Sequence, residues 1–261
     1  MPESIVVGSA PIKQVICIGY DPREEDAFKV AEASAAAHAP PGTLITGIYL
    51  TELVAKGIYR RRTETQNGKL WDVISEAPMS TEFAISRFLS IDVADFALEE
   101  ASLEWDWETT WVMFMDCDML VRKPLAPLFE LANKSENKDK ALLCVQHHHN
   151  PPEGVKMDGQ LQLRYARKNW SSVMLINPFA ASNMLDLTGE LVNRVPGRDL
   201  HRFCWLRDDE IGALPVEYNW LVGHSPNDVD PTIVHFTEGG PWFGGEYLSV
   251  PYADEWLAWR K

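Results

Sequence analysis

The sequence predicts an α/β layer fold built around a parallel sheet. Its opening reads strand, helix, strand, and three later apolar runs have the length and content of buried strands. One of these, WVMFM at 111–115, is apolar at odd and even positions alike, which suits a central strand covered on both faces.

Taken in order, QVICIGY at 14–20 is a short β-branched run ending at Gly19. DPREE follows with the acids and early proline that start a helix, and the Ala-rich stretch 28–39 continues it until Pro40, Pro41 and Gly42 stop it. TLITGIYL at 43–50 is the second strand. Residues 51–78 are polar and irregular, and STEFAISRFLSI then reads as a helix capped by Ser80 or Thr81, with Glu82 in its first turn. After an acidic connector comes the 111–115 strand. PLAPLFELANK is a short helix, ALLCVQ at 141–146 a buried strand, and 147–160 a loop or hairpin. SSVMLINP is a further strand ended by Pro178, with a helical stretch at 179–187. The last 60 or so residues mix turns, tryptophans and short apolar pieces.

With 261 residues, 46% hydrophobic and 24% charged, the chain is long enough to bury a substantial core as one domain. Its net charge of -14 argues against nucleic acid or an anionic membrane as partner, because such surfaces need clustered Lys and Arg. Only Arg60, Arg61 and Arg62 come close, and they read as a solvated loop. Cys17, Cys117, Cys144 and Cys204 lack a paired spacing and read as buried free thiols of a reducing, cytoplasmic compartment. The first residues carry no signal-peptide pattern, and no window approaches the ~20 apolar residues of a membrane span.

Asp116 and Asp118 interrupt the apolar stretch TWVMFMDCDMLVRKPL just beyond a strand end, where open α/β sheets bind ligands. Residues one apart in extended backbone share a side, so the two carboxylates would repel unless a hard or borderline divalent cation joined them. Asp is also a common turn residue, and the pair alone fits that equally well. His235, at the end of the TIV run and before a Gly-rich turn, is a third candidate ligand. The triplet His147, His148, His149 is the more obvious cluster but reads as exposed loop, because adjacent side chains seldom converge on one ion.

In order along the chain, ICIGYD, STEFAISRF, MFMDCDML, SSVMLIN, RDDEIGALPVEYNW and VHFTEGGPWF together resemble the GT-A fold glycosyltransferases, most closely the glycogenin-like and galactosyltransferase group called family 8. The resemblance runs from residue 12 to about 243. It implies one GT-A domain over 1–261, a single central mixed, mostly parallel sheet flanked by helices, with a nucleotide-binding half at about 12–125 and an acceptor-side half at about 126–261. It implies Mn2+ or Mg2+ on Asp116, Asp118 and His235, holding the diphosphate of a nucleotide sugar that is most readily a UDP-sugar. The acceptor would be a glycan, lipid or small molecule, and family 8 would retain the anomeric configuration.

By the same resemblance Gly19, Tyr20 and Asp21 line the nucleoside pocket, and Arg87 reaches the phosphate or donor sugar, a task suited to its planar fork. Asp21 also reads as a helix N-cap. Asp208 and Asp209 of RDDE take the place of an acid and an amide beside the anomeric carbon, where a carboxylate can stabilise an oxocarbenium-like centre. Two departures stand out. NWSSVML places Trp170 and Ser172 where an amide and a glycine are expected, and Gly239 and Gly240 replace a lysine before Pro-Trp. Backbone N–H groups of such a glycine turn can bind phosphate, and Trp242 beside them offers a face for a sugar ring. Rival expectations are a nucleotide-sugar binding protein without turnover, motivated by those departures, and a metal-dependent phosphohydrolase using the same acids.

Overall fold

The computed structural model describes residues 4–8, 13–106, 110–147, 154–155, 161–162, 167 and 169–260. Strand β1 (Ile5–Val7) is followed by β2 (Gln14–Gly19), α1 (Glu25–His38) and β3 (Thr43–Ile48). The start of the helical segment follows from its sequence: Asp21 accepts the Arg23 N–H at 2.9 Å, and Pro22 opens a 3-10 turn that feeds α1. Ala27, Phe28, Val30, Ala31, Ser34 and Ala35 form the buried face of α1, at helical spacing. Pro40 and Pro41 follow directly after its last turn.

The stretch expected to be irregular is ordered. It holds helix α2 (Leu50–Ala55) and an antiparallel meander of β4 (Thr63–Gln66), β5 (Lys69–Asp72) and β6 (Ala77–Pro78). Arg61 corrects the solvated-loop reading of the arginine cluster: its side chain is enclosed, pairs with Asp72 through Nε at 2.9 Å, and donates to the carbonyls of Val192 and Val195. Those bonds tie the meander to a helix far along the chain. Expected as one helix, the STEFAISRFLSI segment is instead α3 (Phe83–Ser86), a 3-10 turn at Arg87–Leu89, and α4 (Ser90–Glu100).

Next come β7 (Trp111–Met115), β8 (Met119–Val121), α5 (Ala126–Ala132), β9 (Leu142–Val145), the pair β10 (Gly154–Val155) and β11 (Leu161–Gln162), and β12 (Val173–Ile176). The C-terminal part contains α6 (Ala181–Leu185), α7 (Gly189–Arg194), α8 (Gly197–Leu200), β13 (Ile211–Leu214), β14 (Trp220–Leu221), β15 (Ile233–His235) and α9 (Ala253–Trp259).

The large sheet has the order β1-β3-β2-β7-β12-β9-β13. Strands β3, β2 and β7 are mutually parallel, β12 runs against both β7 and β9, and β13 is parallel to β9. Only β1 and β12 therefore oppose the common direction, giving the mixed, mostly parallel sheet that was expected. β2, β3, β7, β9 and β12 are buried at every position, which explains their largely apolar content. A smaller sheet, β14-β15-β8, adjoins the large one, and α1 packs on β8, where Ser34 Oγ accepts the Val121 N–H at 3.2 Å. Among the described residues no helix is long and apolar enough to cross a membrane. Cys17, Cys117 and Cys144 are buried free thiols, whereas Cys204 is exposed.

Candidate active site

Asp116 and Asp118 sit in the short link by which the chain leaves the large sheet at β7 and enters the small sheet at β8. β15 pairs antiparallel with β8 so that His235 stands opposite Met119, and Phe236 N–H donates to the Asp118 carbonyl at 2.9 Å. Strand pairing thus brings a distant histidine to the acid pair. His235 Nε2 lies 3.3 Å from Asp118 Oδ2, and one ligand atom from each of Asp116, Asp118 and His235 falls within 4.8 Å of the others. The spacing is close enough for one ion to be shared by all three, and two carboxylates with an imidazole are a donor set for a divalent cation.

Arg87 lies on the 3-10 turn after α3 and is nearly buried. Its guanidinium stacks over the rings of Phe83 and Phe114, 5.2 and 5.0 Å from their centroids, which holds it flat against the core. Its terminal NH1 reaches Asp116 Oδ1 at 2.8 Å and donates to the Ser171 carbonyl at 2.9 Å. Arg87 is therefore a clamp on Asp116 rather than a charge projecting from a helix surface.

The same cleft is lined by Glu24, Ser80, Thr81, Phe83, Asn169, Ser171, Ser172, His201, Thr237, Glu238, Gly239 and Trp242, together with the three candidate ligands and Arg87. Glu24 accepts the Cys117 thiol at 3.4 Å. Burial, and then the neighbouring Asp118 carboxylate, push its pKa up to about 8. Crowded acids raised in this way are what a bound cation would relieve. Across the cleft the wall is polar: Ser171 Oγ is 2.7 Å from His201 Nδ1, and Ser172 Oγ donates to the Asn169 carbonyl at 2.7 Å. Asn219, fully buried, bridges the two sides, with Oδ1 3.0 Å from His235 Nδ1 and Nδ2 2.9 Å from Ser172 Oγ.

The other sequence-expected residues divide. Gly239 and Trp242 line the cleft. The Gly239 N–H is already engaged by the Phe236 carbonyl at 2.8 Å, so it is not aimed at a phosphate. Gly240 lies behind Trp242, where an added Cβ would stand 2.1 Å from the indole. Gly19, Tyr20 and Asp21 do not line the cleft. An added Cβ at Gly19 would stand 2.4 Å from the Phe83 ring, Tyr20 packs edge-on against Phe28, and Asp21 is a buried cap for Arg23 and the Glu82 N–H. Burial raises the Asp21 carboxyl, yet its bonds to Arg23 outweigh this and the pKa lies below the ordinary value. Asp208 and Asp209 also stand outside the lining, on a 3-10 turn before β13. Their side chains are 92% and 74% exposed, and they pair with Arg167 and Arg207. His147 forms a turn bond to Val145, while His148 and His149 lie outside the described residues.

Glu24, Asn169, Ser171, His201 and Asn219 went unrecognised as site residues in the sequence. Asn219 belongs to the RDDEIGALPVEYNW segment that carried the resemblance, and Asn169 to the NWSS start that departs from it, so position flagged them where chemistry did not. His201, in HRF, had no such signal.

No family model matches the chain. It is, however, 40% identical over 247 residues to Protein CDI of Arabidopsis thaliana, across 93% of this chain and 84% of that relative. The chain belongs to the Protein CDI family. Among solved structures, this Protein CDI family member is similar to the apo form of the glycosyltransferase GlyE of Streptococcus pneumoniae TIGR4, with TM-score 0.52 and 17% identity over 95% of the chain. It is likewise similar to the apo bifunctional glycosyltransferase WbbM, with TM-score 0.52 and 11% identity over 97% of the chain. The chain spans 60% of the first and 53% of the second, so it matches only part of each. At these identities the likeness shows the fold, and the fold is the GT-A fold that the ordered motifs resembled.

Proposed function

We propose that the protein is a metal-dependent glycosyltransferase that moves a sugar from a nucleoside-diphosphate sugar, most readily a UDP-sugar, to a glycan, lipid or small-molecule acceptor in the cytoplasm, with retention at the anomeric carbon. The observation that carries this reading is the meeting of Asp116, Asp118 and His235 at one cleft of a GT-A sheet. These three would hold Mn2+ or Mg2+. When bound, the ion would offset the charge of the donor diphosphate and stabilise the departing nucleoside diphosphate.

The protein's own groups then have distinct tasks. Arg87 orients Asp116, and its position beside the acid puts a fixed positive charge at the phosphate end of the cleft. Asn169, Ser171, Ser172 and His201 offer polar side chains to sugar hydroxyls. Trp242, packed on Phe236 and Trp256, presents a rigid aromatic surface at the rim. The leaving group and the anomeric centre are assigned to the metal end of the cleft and Arg87, with Asp208 and Asp209 left outside the reacting centre. Donor contacts in this reading span both halves of the chain, and the acceptor enters on the C-terminal side.

The acid pair would serve a phosphohydrolase equally well, but two-metal hydrolysis needs a second ligand group, and among the described residues this is the single group found. A panel of nucleotide sugars with and without Mn2+, read by thermal shift and by release of nucleoside diphosphate, tests the reading. One UDP-sugar should stabilise the protein only with metal, and Asp118→Asn should abolish that gain. Metal-dependent binding with no release across donors and acceptors would make the protein a nucleotide-sugar binder instead.

A further inference from the structure

The bonds around Asn219 determine which nitrogen His235 turns toward the acids. Asn219 is wholly buried between the 3-10 turn Val216–Tyr218 and β14. One end of its amide faces the Asn169 carbonyl at 3.2 Å and Ser172 Oγ at 2.9 Å. A carbonyl only accepts, and the Ser172 hydroxyl hydrogen is already given to that same carbonyl at 2.7 Å. Both neighbours therefore demand a donor, so the amide nitrogen points at them and the amide oxygen points at His235 Nδ1, 3.0 Å away. That oxygen also only accepts. Nδ1 must then carry a hydrogen, which leaves Nε2, the atom 3.3 Å from Asp118, as the nitrogen whose lone pair a cation can take.

We infer that Asn219 is a positioning residue that selects the metal-binding tautomer of His235, and that the same amide locks the Asn169 to Ser172 wall to it. The inference rests on the metal reading proposed above. A second bond reinforces the link, because the Ser172 carbonyl accepts the Asp116 N–H at 3.0 Å. Cation affinity and the shape of the sugar-side wall are thereby set by one shared network. In metal sites, partners of this kind contribute about 10–100-fold in affinity.

Two measurements on the full chain test this without any transfer assay. Nitrogen-15 NMR of histidine-labelled, metal-free protein, with His235 assigned by its loss in His235→Gln, should show the hydrogen on Nδ1; a neutral ring protonated at Nε2 would overturn the inference. Mn2+ titration followed by electron paramagnetic resonance should give about 10–100-fold weaker binding in Asn219→Ala. Asn219→Leu, which keeps the packed volume but offers Nδ1 no acceptor, should weaken binding by a comparable factor, provided both variants unfold cooperatively. Parent-like affinity in Asn219→Leu would reduce Asn219 to a packing role. Failure of the parent protein to bind Mn2+ would sink the metal reading, while the NMR result would still decide the tautomer.

Discussion

Arg87 and Asp116 form a nearly buried ion pair of 2.8 Å, their side chains only 8% and 13% exposed, at the edge of the cleft. Removing one partner of such a pair leaves a charge without compensation. Arg87→Met in metal-free protein should therefore lose about 3–5 kcal/mol, read as a lower urea midpoint. Mn2+ should restore more stability to this variant than it adds to the parent, because the ion returns positive charge to Asp116. Equal responses in the two proteins would separate Asp116 from the cation.

Asp118 and Asp209 should behave in opposite ways. Asp118→Asn removes a ligand atom at the meeting point of the triad, and transfer should fall at least ~100-fold. Asp209 is 74% exposed and pairs with Arg207, so Asp209→Asn should change the rate by less than about threefold. Nucleoside diphosphate release under saturating donor measures both, and a large loss in Asp209→Asn would return that residue to the reacting centre.

Arg61 and Asp72 provide a test of architecture alone. Arg61→Ala strands the Asp72 carboxylate and two carbonyls in the interior, at an expected cost of about 3–5 kcal/mol in chemical denaturation. The double variant Arg61→Met with Asp72→Leu should recover a large part of it, since apolar replacement of a buried pair is often near neutral. No recovery would mean that the carbonyl bonds, rather than the pair, hold the meander in place.

Asp92, in the first turn of α4, is pushed up to about 6, chiefly by burial, with its own backbone bond lowering it and Asp95 raising it. A carboxyl that binds its proton more tightly when folded adds stability that is full below the unfolded value of 3.8 and is lost as pH rises through about 6. The partly exposed site limits this to on the order of 1–2 kcal/mol. Urea midpoints compared across that range should show a steeper decline in the parent than in Asp92→Asn, and identical slopes would remove Asp92 as the cause.

The legible parts of the fold were those where one local signal dominated. β2, β3, β7, β9 and β12 are buried throughout, so their apolar runs announced them, and Asp21, Pro22 and Pro40 bracketed α1. The meander at 63–78 escaped because its strands are short and half-exposed, with no strong periodicity. Arg61 escaped because burial of a charge depends on Val192 and Val195, which lie far along the chain. Asp208 and Asp209 show the converse: a local motif suggested the reacting centre, whereas their turn before β13 faces solvent.

Sequence by itself determined the α/β class, the acid pair beyond β7 and the candidate ligand His235, because strand burial and residue chemistry are written locally. Tertiary structure alone decided that His235 meets Asp118, through the β8–β15 pairing, and that Arg87 turns inward to Asp116. It also decided that Asn219 orients the imidazole. Each of these depends on hydrogen bonds between segments distant in the chain, whose register is set by packing rather than by any local pattern.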